Sequence, residues 1–235
     1  MIKKILKKIL RMDSEAQRYQ KISFSQSGED LVVKFIFDVI GIDKPTYLDI
    51  GAHHPFYLSN TALFYQSGST GINIEPDPHL FQLFAKHRQR DINLNIGIAG
   101  TAGELDFYLI NYPTLNTFLK VEAEKYQQEG NYFIKEVIKI KVQTIEAVFL
   151  QIGQKKFPDF LSLDAEGVDE LIIRSIDFKN NFPIVICIET LSFSGTGNGM
   201  KNRELIHFIE SCNYMLYADT NINSIFVRKE FWLKT

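Results

Sequence analysis

Apolar residues after Asp30 recur at helical spacing, as Leu31, Val32, Phe35, Ile36, Val39 and Ile40, and Gly41 follows the last of them. The pattern predicts an amphipathic helix, closed by glycine, that covers the first strand of a sheet. Beyond it the period shortens. Apolar runs bounded by polar residues predict strands at Tyr47–Ile50, Gly71–Glu75, Asn93–Ile98, Phe160–Asp164 and Val185–Glu189, with amphipathic helical stretches between several of them. That alternation predicts a mainly parallel α/β sheet. Tyr214–Ala218 and Ser224–Arg228, separated by Asp219-Thr-Asn-Ile-Asn223, predict a terminal antiparallel hairpin. Glu104–Ile110 and Val137–Val142 are also rich in strand formers. Between them Asn111–Asn131 is polar and irregular, with helical character from Val121 to Gln128, and predicts an insert near 111–133 that covers a pocket. The three glycines of Ser194-Gly-Thr-Gly-Asn-Gly199, close to the end of a strand, predict a mobile substrate loop.

At the start of the chain Ile2, Ile5, Leu6, Ile9 and Leu10 alternate with Lys3, Lys4, Lys7, Lys8 and Arg11, which gives a helix one apolar and one basic face. Residues 2–11 suit peripheral contact with an anionic membrane, where lysines meet headgroups and the apolar stripe enters the acyl boundary. A helix packed on the domain or on a partner chain fits the same pattern. The expected organisation is this segment, residues 1–21, followed by one domain over residues 22–235.

Composition narrows the function classes. Lys and Arg number 26 against 28 Asp and Glu, so the net charge of −2 offers no field to gather nucleic acid. Cys187 and Cys212 lack C-x-x-C spacing and sit in apolar or helical contexts, which favours buried thiols in a reducing, cytoplasmic setting over a disulfide or zinc site. No apolar run is long enough to cross a bilayer, and Met1-Ile-Lys-Lys is not followed by a signal-peptide core. The oligomeric state is not legible.

The most informative stretch is Tyr47-Leu-Asp-Ile-Gly-Ala-His-His54 with Gly71-Ile-Asn-Ile-Glu-Pro-Asp77. It reads as two strand ends around a nucleoside pocket. Gly51 allows close backbone approach, Asp49 can accept from an amino group directly or through water, and the two oxygens of Glu75 can hold a ribose diol. A dinucleotide's pyrophosphate needs a G-x-G-x-x-G turn, but Ala52, His53, His54 and Pro55 follow Gly51, which disfavours a nicotinamide oxidoreductase. The pattern points instead to S-adenosylmethionine. Asn95 through Ile98, at the end of the third strand, is a further candidate: its backbone can meet adenine while the Asn95 amide orients the loop.

With their neighbours, these residues form an ordered set: Phe24-Ser-Gln-Ser-Gly-Glu-Asp30, Asp49-Ile-Gly-Ala-His-His-Pro55, Ser59-Asn-Thr61, Ile74-Glu-Pro76 and Ser162-Leu-Asp-Ala-Glu-Gly167. The set resembles the FkbM family of methyltransferases from about Phe24 to Val227. The resemblance implies a class I methyltransferase-like Rossmann fold, with a seven-stranded, mainly parallel sheet ending in an antiparallel hairpin. It also implies S-adenosylmethionine-dependent methyl transfer, usually to oxygen, with Gln26, Glu29, Ala52, Asn60 and Asp164 joining Asp49, Gly51, Glu75 and Asn95 around the cofactor. One departure is that His53-His54-Pro55 stands where many members have a second glycine, which implies a different hold on the methionine end. Read without the resemblance, Gln26–Asp30 is equally an N-capping segment, since Ser27 and Asp30 have near capping-box spacing.

For chemistry, the apolar strand Phe160-Leu-Ser-Leu163 delivers Asp164 and Glu166 to the rim of the sheet. Asp164, Glu166 and His54 are the candidate bases for a hydroxyl acceptor; Glu166 can instead cap the helix that follows, and His54 can serve as a hydrogen-bond donor behind the site. Asp164 and Glu189, on adjacent strands, offer oxygen donors for a divalent cation such as Mg2+, although Thr190 stands where a further ligand is wanted. The expected activity is O-methylation of a small hydroxylated molecule, with a sugar or glycolipid or polysaccharide intermediate preferred because of the basic N-terminal helix. A non-catalytic nucleotide- or metabolite-binding module that keeps the pocket is the competing reading, and the His53-His54-Pro55 segment is its best support.

Overall fold

A computed structural model of the chain describes residues 15–128, 130–165, 167–192 and 199–234, so residues 2–11, Glu166 and Ser194–Asn198 lie outside the described residues. Helix α1 (Glu29–Ile40) buries Val33, Ile36 and Phe37 and ends where Gly41, at φ 78°, donates its N–H to the Phe37 carbonyl. Its start departs from the capping box expected at Ser27. Gly28 adopts a left-handed conformation, and Ser25 Oγ accepts from the N–H groups of Gly28 and Asp30 instead. The Asp30 carboxylate in turn accepts from Ser23 Oγ at 2.6 Å and from the Phe24 N–H at 2.7 Å, which folds residues 23–30 into a tight loop.

The main sheet contains β1 (Tyr47–Ile50), β2 (Gly71–Ile74), β3 (Ile92–Leu94), β7 (Phe160–Leu163), β8 (Val185–Glu189), β9 (Tyr214–Asp219) and β10 (Asn223–Arg228), in the order β3-β2-β1-β7-β8-β10-β9. The first five strands run parallel and β10 pairs antiparallel with both β8 and β9, as the sequence predicts. Parallel strands are buried on both faces. Accordingly Tyr47, Phe160 and Val185 pack towards α1, whereas Leu48, Leu161 and Ile186 pack towards α5 (Ile145–Ile152), α6 (Asp169–Arg174) and α7 (Arg203–Ser211). Strand order and hairpin are those of the class I methyltransferase-like Rossmann fold.

The expected third strand, Asn93–Ile98, is two strands. β3 stops at Leu94, and β4 (Gly97–Ile98) joins a second sheet ordered β4-β6-β5 with β5 (Gly103–Ile110) and β6 (Ile134–Gln143). The break falls at Asn95, whose side-chain amide donates to the carbonyls of Glu75 and Pro76 at 2.8 and 2.9 Å and so pins the turn to the end of β2. Residues between β5 and β6 form a 3-10 turn (Pro113–Leu115) and α4 (Lys120–Gln128). The two remaining short helices in the first half are α2 (Ala62–Gln66) and α3 (Pro78–His87).

Beyond α3 lies a wholly buried cation. Arg88 donates from Nε to Asp91 at 2.9 Å, from Nη1 to the Pro55 carbonyl at 3.1 Å, and from Nη2 to Tyr47 Oη at 2.8 Å and Thr61 Oγ1 at 3.2 Å. Asp91 also accepts from Tyr47 Oη, the Gly71 N–H and Asn73 Nδ2. Gly71 leaves room for this cluster: a Cβ there would lie 2.1 Å from the Tyr47 ring. Removing one partner of a buried pair strands the other charge. Arg88→Met is therefore expected to cost about 3–5 kcal/mol of stability, read from the urea unfolding midpoint, and a variant as stable as the parent would show that the network carries no load.

Candidate functional site

Gly51 turns the chain out of β1 at φ 72°, and a Cβ there would sit 1.7 Å from the carbonyl oxygen of Asp164. Only glycine lets the ends of β1 and β7 approach this closely. Past the carboxyl ends of β1, β2, β7 and β8 opens a cavity of about 540 Å3, within the range of small-molecule and cofactor sites. Its position is the one where open parallel sheets collect ligands, outside the strand ends where the strand order reverses.

Four carboxyl side chains line this cavity: Asp49, Glu75, Asp164 and Glu189. No lysine or arginine lines it among the described residues. Asp49 is buried and accepts from Thr61 Oγ1 at 2.6 Å; burial pushes its carboxyl above the usual range, with Thr61 and Arg88 acting in the opposite sense. Glu75 accepts one backbone N–H at each oxygen, from His53 at 2.7 Å and from Asp77 at 2.7 Å. Burial nevertheless pushes it up to about 8, helped by the charges of Asp77 and Asp49. Glu75 also lines the cavity, where its carboxyl is within reach of a ligand.

Asp164 is accessible through the cavity while protein surrounds it, and it is hydrogen-bonded to Glu189. Both carboxyls are raised, first by loss of solvent. For Asp164 the charges of Asp169 and Asp49 add to the effect, and for Glu189 those of Asp164 and Asp169. A hydrogen bond between two carboxyls requires a shared proton, so the pair resists losing both of its protons. Asp169 is fixed behind them, accepting from the Ala165 N–H at 2.7 Å and the Gly167 N–H at 3.2 Å.

Of the residues expected at the cofactor, Gln26, Asp49, Gly51, Ala52, Asn60, Glu75 and Asp164 line one cavity, and Asn60 Nδ2 donates across it to Ser162 Oγ at 3.2 Å. Three expectations are redirected. Glu29 is fully buried and spends its carboxylate on the Ser27 N–H, Thr220 Oγ1 and Asn223 Nδ2, so it ties the first loop to the terminal hairpin rather than facing the cavity. Asn95 is absent from the lining because its amide holds the β2 turn, and Gly97 and Ile98 take its place. His54 points its Nδ1 at the N–H groups of Phe56 and Tyr57, at 3.2 and 3.0 Å, so that nitrogen is occupied as a turn acceptor; the neighbouring His53 lines the cavity instead. Glu166 lies outside the described residues.

The magnesium expectation fares differently again. No group of three or more His, Cys, Asp or Glu placed to hold a metal occurs among the described residues, and Asp164 and Glu189 are bonded to one another. Pro113–Asn116 and Phe118 of the insert expected near 111–133 line the cavity, but sequence reasoning missed the part of the wall built from Asn221, Ile222 and Asn223 of the terminal hairpin. The polar run Asp219–Asn223 was the available signal, but the hairpin turn comes over the pocket only because β10 inserts beside β8.

A strand-end cavity rimmed by carboxyls sits on a sheet of the class I methyltransferase-like kind. The methyltransferase FkbM domain matches residues 49–216, and the chain belongs to that family. Among curated proteins none matches the chain. No helix among the described residues is long and apolar enough to cross a membrane.

The raised carboxyl of Glu75 has a consequence for stability. Between its ordinary 4.5 and about 8, the folded protein keeps a proton that the unfolded chain has released. Stability therefore falls as pH rises through that window. Glu75→Gln removes this contribution, and thermal unfolding of the ligand-free variant is expected to depend less steeply on pH between 5 and 8 than the parent; equal slopes would contradict the assignment.

Proposed function

We propose that this chain is an S-adenosylmethionine-dependent O-methyltransferase acting on a small hydroxylated acceptor, with a sugar or a glycolipid or polysaccharide intermediate preferred. The observation that carries the reading is a cavity lined, among the described residues, by four carboxyls and no basic side chain. Such a lining repels a pyrophosphate and suits a cationic sulfonium. In this reading the carboxyl of Glu75 takes the ribose hydroxyls, Asp49 and the loop after Gly51 bound the nucleoside, and the shared-proton pair Asp164–Glu189 faces the reacting end.

When bound, S-adenosylmethionine supplies an electrophilic methyl group. As that methyl group is taken up by the acceptor oxygen, the carboxylate of Asp164 would receive the hydroxyl proton. Most of the acceleration comes from holding oxygen, carbon and sulfur in line, and proton removal adds a smaller factor. A carboxyl raised towards neutrality by burial and neighbouring charge suits that second task. The retained carboxyl pair is also what separates this reading from a binding module without chemistry.

Two measurements test it. Glu75→Ala is expected to weaken S-adenosylmethionine binding by roughly 1–3 kcal/mol in a calorimetric titration, the cost of leaving buried ribose hydroxyls without their partner; unchanged affinity in a folded variant refutes the ribose role. Asp164→Asn is expected to lower turnover about a hundredfold while cofactor affinity changes little. Because Asp164 must be ionised to accept a proton, the parent rate should rise with pH through a single ionisation near neutrality that the variant lacks. An active Asp164→Asn enzyme with the parental profile moves the base elsewhere.

A further inference from the structure

A second cavity of about 220 Å3 lies beside the first, and the two share Glu189, Leu191 and Ser192. The shared residues continue β8 and are locked in place. Leu191 bridges to Lys201, the Ser192 N–H donates to the Met200 carbonyl at 3.0 Å, and the Asn202 N–H donates to the Thr190 carbonyl at 2.7 Å. Residues 190–192 thus form a lip, with the larger cavity on one side and the smaller on the other.

The smaller cavity is polar. Glu122 and Lys125, paired at 3.5 Å, reach it from α4, while Glu170 comes from α6 and Asn202 from the start of α7. These groups are already oriented: Glu170 holds Arg174 at 2.8 Å and accepts from Asn202 Nδ2 at 3.3 Å. The segment between β5 and β6 spans both spaces, since Pro113–Asn116 and Phe118 line the larger cavity and α4 lines the smaller. At about 220 Å3 the space falls below the roughly 300–1,000 Å3 of drug-sized sites. It admits one ring and no extended polycycle. Paired donors and acceptors fixed around so small a volume suit a ligand that carries hydroxyls on every side.

We propose that the smaller cavity is the acceptor subsite, that it takes a single polyhydroxylated ring held by Glu122, Lys125, Glu170 and Asn202, and that the ring's reacting hydroxyl passes the lip at Leu191 to meet Asp164. This inference rests on the methyl-transfer reading and adds to it the place and the size of the acceptor. It also gives Glu189 a part: standing in both cavities and bonded to Asp164, it contacts the hydroxyl on its way in and holds Asp164 towards it.

The test uses the full chain saturated with S-adenosylhomocysteine and a panel of methyl pyranosides of gluco, galacto, manno and rhamno configuration, with saturation-transfer NMR as the readout. At least one pyranoside is expected to receive saturation from the parent. Glu122→Ala combined with Lys125→Ala should weaken its binding about tenfold, the equivalent of one charged hydrogen bond, and Met200→Trp, which fills the space from its exposed rim, should abolish it. In ligand-free preparations of the same variants, calorimetric affinity for S-adenosylmethionine should match the parent, which also shows that the variants fold. If the cofactor binds but no pyranoside does, or if both variants bind the sugar like the parent, the subsite is wrong and the methyl-transfer reading stands. If the parent does not bind S-adenosylmethionine, that reading falls and the subsite falls with it.

Discussion

Arg88 is the constraint on which the front of the molecule depends. A guanidinium with no exposed surface is tolerated only where its donors are satisfied, and here they engage Asp91, Tyr47, Pro55 and Thr61, which come from three separate stretches of chain. Asp91 meanwhile gathers the first residue of β2 and the side chain of Asn73. The loop from Ala52 to Thr61 is thereby fastened to the β1-β2-β3 edge of the sheet at two points. Thr61 then passes the constraint to Asp49 at 2.6 Å, so a carboxyl on the cavity wall is oriented by a cation that never touches the cavity. Networks of this kind hold a site in one geometry because a half-satisfied version costs more than an apolar core.

The electrostatics of the two sides are opposed. On the Arg88 side a positive charge is matched by Asp91 and a phenol that burial keeps neutral. On the cavity side Asp49, Glu75, Asp164 and Glu189 crowd together, with Asp169 behind, and each carboxyl is pushed upward by loss of solvent and, for Glu75, Asp164 and Glu189, further by neighbouring carboxyls. A ligand that brings positive charge relieves this repulsion, whereas one that brings phosphate adds to it. The missing second and third glycines after Gly51 and the absence of basic side chains from the cavity lining among the described residues are therefore two signs of one preference, the first visible in sequence and the second only in three dimensions.

The main sheet was legible because its signals are local. Apolar runs set β1, β2, β7 and β8, and the polar turn Asp219–Asn223 set the hairpin. The carboxyls at or beside those strand ends were legible for the same reason, since the end of a parallel strand is where a ligand must sit. What failed depended on side chains whose partners are far away in sequence. Glu29 stands beside cavity-lining Gln26 yet spends its carboxylate on residues 191 and 194 positions later. Asn95 sits at a strand end, but β3 stops there because its amide finds the carbonyls of the neighbouring strand end. His53 and His54 are indistinguishable in sequence; a left-handed turn at His53, with φ 54°, sends one ring to the cavity and the other to the Phe56 and Tyr57 amides.

Glu29 also determines how the pocket can be assembled. The carboxyl rim belongs to residues 49–216, the span of the family match, but Gln26 and Asn221–Asn223 on the other wall lie outside it. Those two pieces meet through Glu29, whose carboxylate is kept below its usual range by the hydroxyl of Thr220, the Ser27 amide and the Asn223 amide in spite of burial. A buried carboxylate this dependent on its partners is costly until all of them have arrived. The wall therefore closes only after β10 has inserted between β8 and β9, the pairing of greatest sequence separation from α1, and ordering of the cavity is coupled to completion of the sheet rather than to its early parallel core.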